Sequence, residues 1–343
     1  MLLADLGADV VRLDRPDATP LGADLRHDPV QRSKRALVAD LESATGRALA
    51  LSLAQRADVL IEGFRPGTLE KLGLGPRPLL AANPRLVYCR LTGFGQTGPL
   101  ATVAGHDLTY LAYAGALYGL GRPGAPPQPP QNLVADYGGG SMLAVVGTLA
   151  ALFERNRSGC GQIVDAAMID GVALLTTLVR GLMASGLWRE HRGENILDGG
   201  SPFYDCYLAA DGEPVAVAPL EPKFYALLLD KLGLSVAEFP QSDGSRWPAL
   251  RARLTEVFLT RTRDAWAVHF EGSDACVAPV LKLAEAPAHP HHVARGTFVE
   301  LDGIAQGAPA PRFSRTPLDA PRVPPRADVE REAILRDWNV TSD

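Results

Sequence analysis

Neither sign of charge is in large excess, and cysteine is scarce. Lys plus Arg number 34 against 39 Asp plus Glu, a formal net charge of −5. With no basic stripe to meet a phosphate backbone, a nucleic-acid partner is not expected. An anionic ligand must be met by a few placed cations, because the overall field does not favour it. The four cysteines, Cys89, Cys160, Cys206 and Cys276, lie far apart and form no CxxC pair. That argues against a zinc site or a disulfide framework and for a reducing, cytoplasmic compartment. The longest largely apolar run without a charge, residues 142–153, has 12 residues, too short to span a bilayer, so no membrane partner is expected. Residues 1–9 carry two acids and no basic stretch, so no secretory leader is expected. What is there is ordinary: 343 residues, 46% hydrophobic and 21% charged, enough for two domains with a core each and incompatible with wholesale disorder. The expectation is a globular enzyme.

Short β-rich runs alternate with helical stretches through the first half. Strands are predicted over 9–13, 36–41, 57–62, 85–91 and 162–168, and helices over 45–55, 68–82 (broken at Gly75 and Pro76) and 108–118. Alternation of this kind implies parallel pairing and an α/β sheet. Residues 141–157 read as an apolar helix with Ser141 as N-cap, and 170–187 as one long helix with Arg180 its single interior charge. From Gly199 a smaller α+β domain is predicted, with a hairpin turning at Asp211-Gly212. The proline-bearing tail is expected to wrap a surface in extended form before a short helix over 328–338. The expected organisation is a large α/β domain over 1–165, linker helices over 166–198, a small domain over 199–285 and a C-terminal return over 286–343.

Gly93-Phe-Gly-Gln-Thr-Gly98 is a literal GxGxxG after a strand, but Pro99 and the residues behind it open no helix to hold a pyrophosphate. Nicotinamide binding is therefore not expected, although such a loop can still line a ligand crevice. His106 follows that loop and precedes a helix, and histidine titrates near neutral pH. Asp136 precedes three glycines that read, on local sequence, as the opening of an apolar helix, where N–H groups could hold an oxyanion and glycine would let a ligand approach. A simple cap with a glycine hinge is an equal reading of the same residues. Glu221, between a strand and a helix start, reads alone as a capping acid. Asp165 and Asp170 read as structural acids that bond backbone at element ends. His289, His291 and His292 look like a metal cluster but lie in a proline-containing loop with no cysteine beside them, so no metal is expected.

Taken together, these stretches resemble the class III CoA-transferase superfamily, and within it the α-methylacyl-CoA racemases. The matching segments are 5–16, 57–67, 90–99, 104–107, 132–141 and 162–171, together with Asn195-Ile-Leu-Asp-Gly-Gly, Leu220-Glu-Pro-Lys-Phe-Tyr, 273–280 and 311–316. The resemblance implies a Rossmann-like, parallel-sheet large domain that binds CoA, a smaller α+β domain, and a homodimer interlocked like chain links. Family members begin earlier, with a first strand and a glycine/proline-rich turn, so that Met1 falls inside the helix that follows. Loss of that strand would remove part of the sheet and of the CoA pocket.

Gly105-His106-Asp107 decides the branch, because transferases usually carry tyrosine where this chain has His106. The resemblance implies epimerisation at C2 of a 2-methylacyl-CoA, a step in fatty-acid metabolism, through an enolate. His106 and Asp136 would be the two bases, Glu221 would orient His106, and backbone N–H groups near Ser141 would hold the enolate oxygen. CoA would be met by Arg15, Ala39, Asp40, Leu41, Glu42, Gly63, Phe64, Arg65, Lys71, Gly105, Asp107, Leu108, Thr109 and Tyr110. No further cofactor is implied, since CoA is part of the substrate. The alternatives are a CoA-transferase using Asp136 as acyl-anhydride nucleophile, or an inactive CoA-binding homologue.

Overall fold

The computed structural model describes residues 1–16, 28–325 and 328–340. In chain order the elements begin with α1 (Leu2–Asp5), β1 (Val11–Asp14), β2 (Arg35–Val38), α2 (Ala44–Arg56) and β3 (Val59–Glu62). Next come α3 (Thr68–Lys71), α4 (Pro76–Ala82), β4 (Val87–Thr92), α5 (Asp107–Ala114), a π-helical segment (Leu133–Ser141) and α6 (Met142–Ser158). They are followed by β5 (Ile163–Ala167), α7 (Met168–Leu175), α8 (Thr177–Ala184), β6 (Asp205–Leu208), β7 (Pro214–Val217) and α9 (Pro222–Lys231). The chain closes with α10 (Trp247–Phe258), α11 (Arg263–Phe270), β8 (Val277–Pro279), α12 (Pro290–Arg295), β9 (Phe298–Leu301), β10 (Ile304–Gly307) and α13 (Arg331–Asp337).

The chain forms two compact units. The first takes Met1–Tyr110, Asn132–Val172 and Glu285–Asp343; the second takes Leu111–Gln131 and Ala173–Ala284. In the first unit β1 pairs with β2, and β3, β4 and β5 pair in that order, every pair parallel. These are two separate parallel sheets among the described residues, where the sequence pattern suggested one. Val87, Tyr88 and Cys89 of the central strand β4 are fully buried, as expected for a strand flanked on both sides. Ile334 and Leu335 of α13 pack with Leu37 and Leu53, returning the C-terminus to the β1–β2 sheet.

Three elements differ from the sequence reading. The helix expected from Ser141 begins instead at Leu133, and its first nine residues wind as a π-helix before α6 continues it. Ser141 is therefore interior, and its hydroxyl donates to the carbonyl of Asp136 at 2.9 Å. The long helix over 170–187 is two helices broken at Thr176, whose hydroxyl donates to the carbonyl of Ala173. The tail is not simply extended: it folds α12 and the antiparallel hairpin β9–β10 before the proline-bearing stretch 308–325, which holds neither helix nor strand.

Residues 133–158 make one helix long and apolar enough by composition to cross a membrane. Its buried residues Ala144, Thr148, Ala151 and Arg155 explain its place in the unit: Cys89, Ala144 and Ala166 share a core with Leu91 and Val164, and Arg155 donates to the carbonyl of Arg85 and the carboxylate of Asp58. The second unit has its own core, in which Phe203, Tyr225, Leu228, Leu254, Phe258 and Trp266 pack beside the antiparallel β6–β7–β8 sheet.

The glycines of the π-helical segment have a packing reason. A Cβ on Gly171 of α7 would fall inside the carbonyl of Gly139, and one on Gly140 would lie 2.7 Å from the Met168 side chain. The two helix backbones touch because neither carries a side chain there. Gly171→Ala is expected to cost about 1–3 kcal/mol, as overpacking of a closed contact does, and to lower the urea midpoint at unchanged slope.

Candidate active site

The sequence-predicted ligand residues of the first unit follow the carboxyl ends of parallel strands, where open α/β sheets bind their ligands. Arg15 follows β1, Ala39 to Glu42 follow β2, Gly63 to Arg65 follow β3 and the Gly93–Gly98 loop follows β4. The β2 loop is held by its own backbone: Ala39 N–H donates to the carbonyl of Asp14 at 2.8 Å, and Glu42 N–H to the Asp40 carboxylate at 2.9 Å. Arg47 donates to the carbonyls of Leu41 and Glu42. The β3 loop is fixed by an ion network centred on the buried pair Glu62 and Arg90. Glu62 accepts Phe64 N–H at 2.7 Å through one oxygen and Arg90 Nε at 2.8 Å through the other, while Arg90 also reaches Glu70. Arg15, Phe64, Arg65 and Lys71 are exposed, free to meet solvent or a ligand.

Gly95 and Gly98 adopt φ of 80° and 92°, the left-handed region that favours glycine. Thr92 and Asp165 accept the N–H groups of Gly95 and Gln96, so Asp165 is the structural acid that its sequence setting suggested. No helix opens after Gly98; the next begins at Asp107. A Cβ at Gly93 or Gly105 would strike the Tyr110 ring, which also meets Phe94 edge-on at 5.0 Å. Glycine at 105 thus leaves room for the Tyr110 ring just before α5.

His106 is exposed and immediately precedes α5. Its N–H donates to the Thr109 hydroxyl at 2.9 Å, and its carbonyl accepts from that hydroxyl and from Thr109 N–H, each at 2.8 Å. This reciprocal cap fixes the backbone at His106 and leaves the imidazole facing out. The next residue, Asp107, turns inward. One oxygen of its carboxylate accepts Ala135 N–H at 2.7 Å and Asp136 N–H at 2.8 Å. The first N–H groups of a helix have no partner within it, and Asn132 makes no side-chain cap. Asp107 supplies that cap from a distant part of the chain, and so sets the start of the Asp136 helix beside the start of the His106 helix.

Asp136 is half-buried. Burial chiefly, then the Asp107 charge, raises its pKa above the ordinary aspartate value; a hydrogen bond from Asn132 and the His106 charge pull it back. The same arrangement raises the Tyr110 phenol, by burial and then by the Asp136 charge. Sequence reasoning missed Asn132 as a partner of Asp136 and Asp107 as a cap; an acid directly after the histidine was the available clue. The N–H groups near Ser141 do not form an open helix end, because residues 138–141 lie inside the helix and Met142 N–H already bonds the carbonyl of Tyr137. Gly139 and Gly140 likewise serve packing on α7 and not ligand approach.

Glu221 belongs to the second unit, where it is exposed and its carbonyl accepts the N–H groups of Phe224 and Tyr225 at the start of α9. The rings of His289, His291 and His292 meet one another edge to face, and His292 meets Phe298.

Over nearly its whole length the chain matches known proteins. The chain belongs to CoA-transferase family III, whose family model matches residues 1–330. It is 44% identical to the α-methylacyl-CoA racemase of Mus musculus over 100% of this chain and 89% of that protein. It is 45% identical to that of Homo sapiens over 92% and 82%. The succinyl-CoA–D-citramalate CoA-transferase of Chloroflexus aurantiacus is 31% identical over 92% and 83%. The crystal structure of a CAIB/BAIF family protein from Brucella suis matches with a TM-score of 0.82 at 28% identity, covering 98% of this chain and 93% of that one.

The raised pKa of Asp136 has a consequence for stability. The folded state holds this proton more tightly than the unfolded chain does. The contribution of the group is therefore most favourable below the unfolded pKa and is lost as pH rises through the folded one. At neutral pH the ionised carboxylate opposes folding. Asp136→Asn is expected to raise the melting temperature at neutral pH, and the gain should shrink as the acid limb is approached; calorimetry across pH reads both.

Proposed function

We propose that this chain epimerises C2 of 2-methylacyl-CoA thioesters by moving a proton from one face to the other through an enolate. The observation that supports it most is the bond by which Asp107, the neighbour of His106, accepts the Asp136 amide, in a chain 44% identical to a racemase of that name. One of the pair removes the C2 proton, the thioester accepts the electron pair as an enolate, and the other returns a proton to the opposite face. Proton transfer by a well-placed group contributes roughly 10²–10⁴-fold. A raised pKa suits Asp136 to both halves of this task, since a carboxyl nearer neutrality can both hold and release the proton. The first turn of α5, opening directly after His106, offers N–H groups for the enolate oxygen in place of those near Ser141. The CoA phosphates and adenine would meet Arg15, Arg65 and Lys71, with the backbone of Ala39, Asp40, Leu41 and Glu42, of Gly63 and Phe64, and of the Gly105–Tyr110 stretch, lining the crevice. CoA belongs to the substrate, and the reaction as read calls for no other cofactor. Four free cysteines fit a reducing compartment, the cytoplasm.

In deuterated water, wild type should exchange the C2 proton of both epimers. His106→Ala should lose exchange from one epimer more than from the other, and Asp136→Ala should show the reverse bias. A transferase that uses Asp136 as nucleophile would instead lose CoA transfer in Asp136→Ala and keep it in His106→Ala. Wild type that binds acyl-CoA and exchanges neither epimer defeats the racemase reading.

We also propose a homodimer. Met142, Val146, Leu149 and Phe153 form one helical stripe, each between 45% and 72% exposed, the kind of apolar face that an oligomer contact covers. A second copy of this chain would cover it. Sedimentation should give a dimer at micromolar concentration, and Val146→Glu should weaken it; a stable wild-type monomer would overturn the proposal.

A further inference from the structure

We infer that Asp107 is the positioning residue of this site: its buried carboxyl group holds Asp136 in place and sets an acidic neighbour beside it. The inference takes from the racemase reading only the rate effects expected below. Asp107 is 4% exposed, and both amide bonds, from Ala135 and Asp136, land on the same oxygen, Oδ2. The other oxygen, Oδ1, is buried and has no hydrogen-bond partner among the described residues. A buried carboxylate so incompletely paired is costly, so a residue there is worth explaining by what its charge does.

Two effects follow from this geometry. The pair of amide bonds fixes the first turn of the π-helical segment, and with it the Asp136 backbone, against the element that begins at His106. Small misplacements of reacting groups cost large factors in rate, so such a tie acts on turnover more than on binding. The charge meanwhile makes ionisation of Asp136 harder. The groups that face Asp136 are Asp107, His106 and Tyr110 from α5 and its cap, and Asn132 from the start of its own helix. Of these, His106 and Asn132 favour the ionised carboxylate, burial and Asp107 the protonated one. Behind burial, Asp107 is the charged neighbour that raises the Asp136 pKa.

Because both amides bond one oxygen, Asp107→Asn can keep the cap while removing the charge, and Asp107→Ala removes both. In Asp107→Asn, the acid limb of the kcat/KM profile should move to lower pH. The kcat should fall about tenfold or more while KM stays within about twofold. Asp107→Ala should lose more kcat and also melt lower. A carboxyl ¹³C NMR titration of Asp136, assigned by its absence in Asp136→Asn, reads the charge effect with no substrate present. It should show Asp136 titrating at lower pH in Asp107→Asn than in wild type. An unchanged Asp136 titration in folded Asp107→Asn would overturn the inference. So would a wild-type Asp136 that titrates at or below the ordinary aspartate value, a measurement that needs no variant to fold. Failure of C2 exchange in wild type would sink the racemase reading and leave the titration to decide the role of Asp107.

Discussion

One carboxylate oxygen joins the two halves of this site. Asp107 Oδ2 accepts the amides of Ala135 and Asp136, residues 28 and 29 positions away, and these two bonds close the first turn of a helix that lacks a local cap. His106 and Asp136 are arranged around that closure. His106 stands next to Asp107 on one side, Asp136 hangs from its bonds on the other, and the Tyr110 ring packs against two glycines that admit it. Removal of a partner from a bond of this kind leaves buried donors unsatisfied, which costs more than the bond contributes when made.

The π-helical winding that carries Asp136 is a second consequence of crowding. A helix start that must be capped from outside and must also touch another helix backbone at Gly139 and Gly171 has little freedom to follow regular α geometry. π-helical turns are often found where function is placed. Here the winding puts Asp136 near an acid that opposes its ionisation. A site of this kind gives up some stability at neutral pH in return for a carboxyl whose proton is available.

The glycine loop after β4 shows how one motif serves a purpose other than its best-known one. Gly93-Phe-Gly-Gln-Thr-Gly98 has dinucleotide-motif spacing, yet its glycines provide left-handed turns and room for Tyr110, and Thr92 and Asp165 tie its backbone down. The Glu62–Arg90–Glu70 network does for the β3 loop what Asp107 does for Asp136: buried charge fixes backbone that must present a ligand surface. Both devices place polar groups inside the unit and leave Arg65 and His106 outside.

Much of the fold was legible from residue order alone. Local periodicity placed β1 to β7 to within a few residues, because strands flanked by glycine, proline and helical stretches are decided by near neighbours. The motif segments around His106 and Asp136 pointed to the family, and Glu221 was correctly seen at a helix start. Three things were decided only by tertiary contact. The helix that looked as though it began at Ser141 begins at Leu133, because its cap is Asp107, and no local window contains that residue. Gly139 and Gly140, which read as space for a ligand, are space for α7. The role of Asp107, and through it the proton affinity of Asp136, depends on two segments meeting across a long stretch of chain. Sequence determines hydrogen-bonding capacity and apolar period residue by residue, but which buried donor finds which acceptor is settled only when the sheets and helices pack.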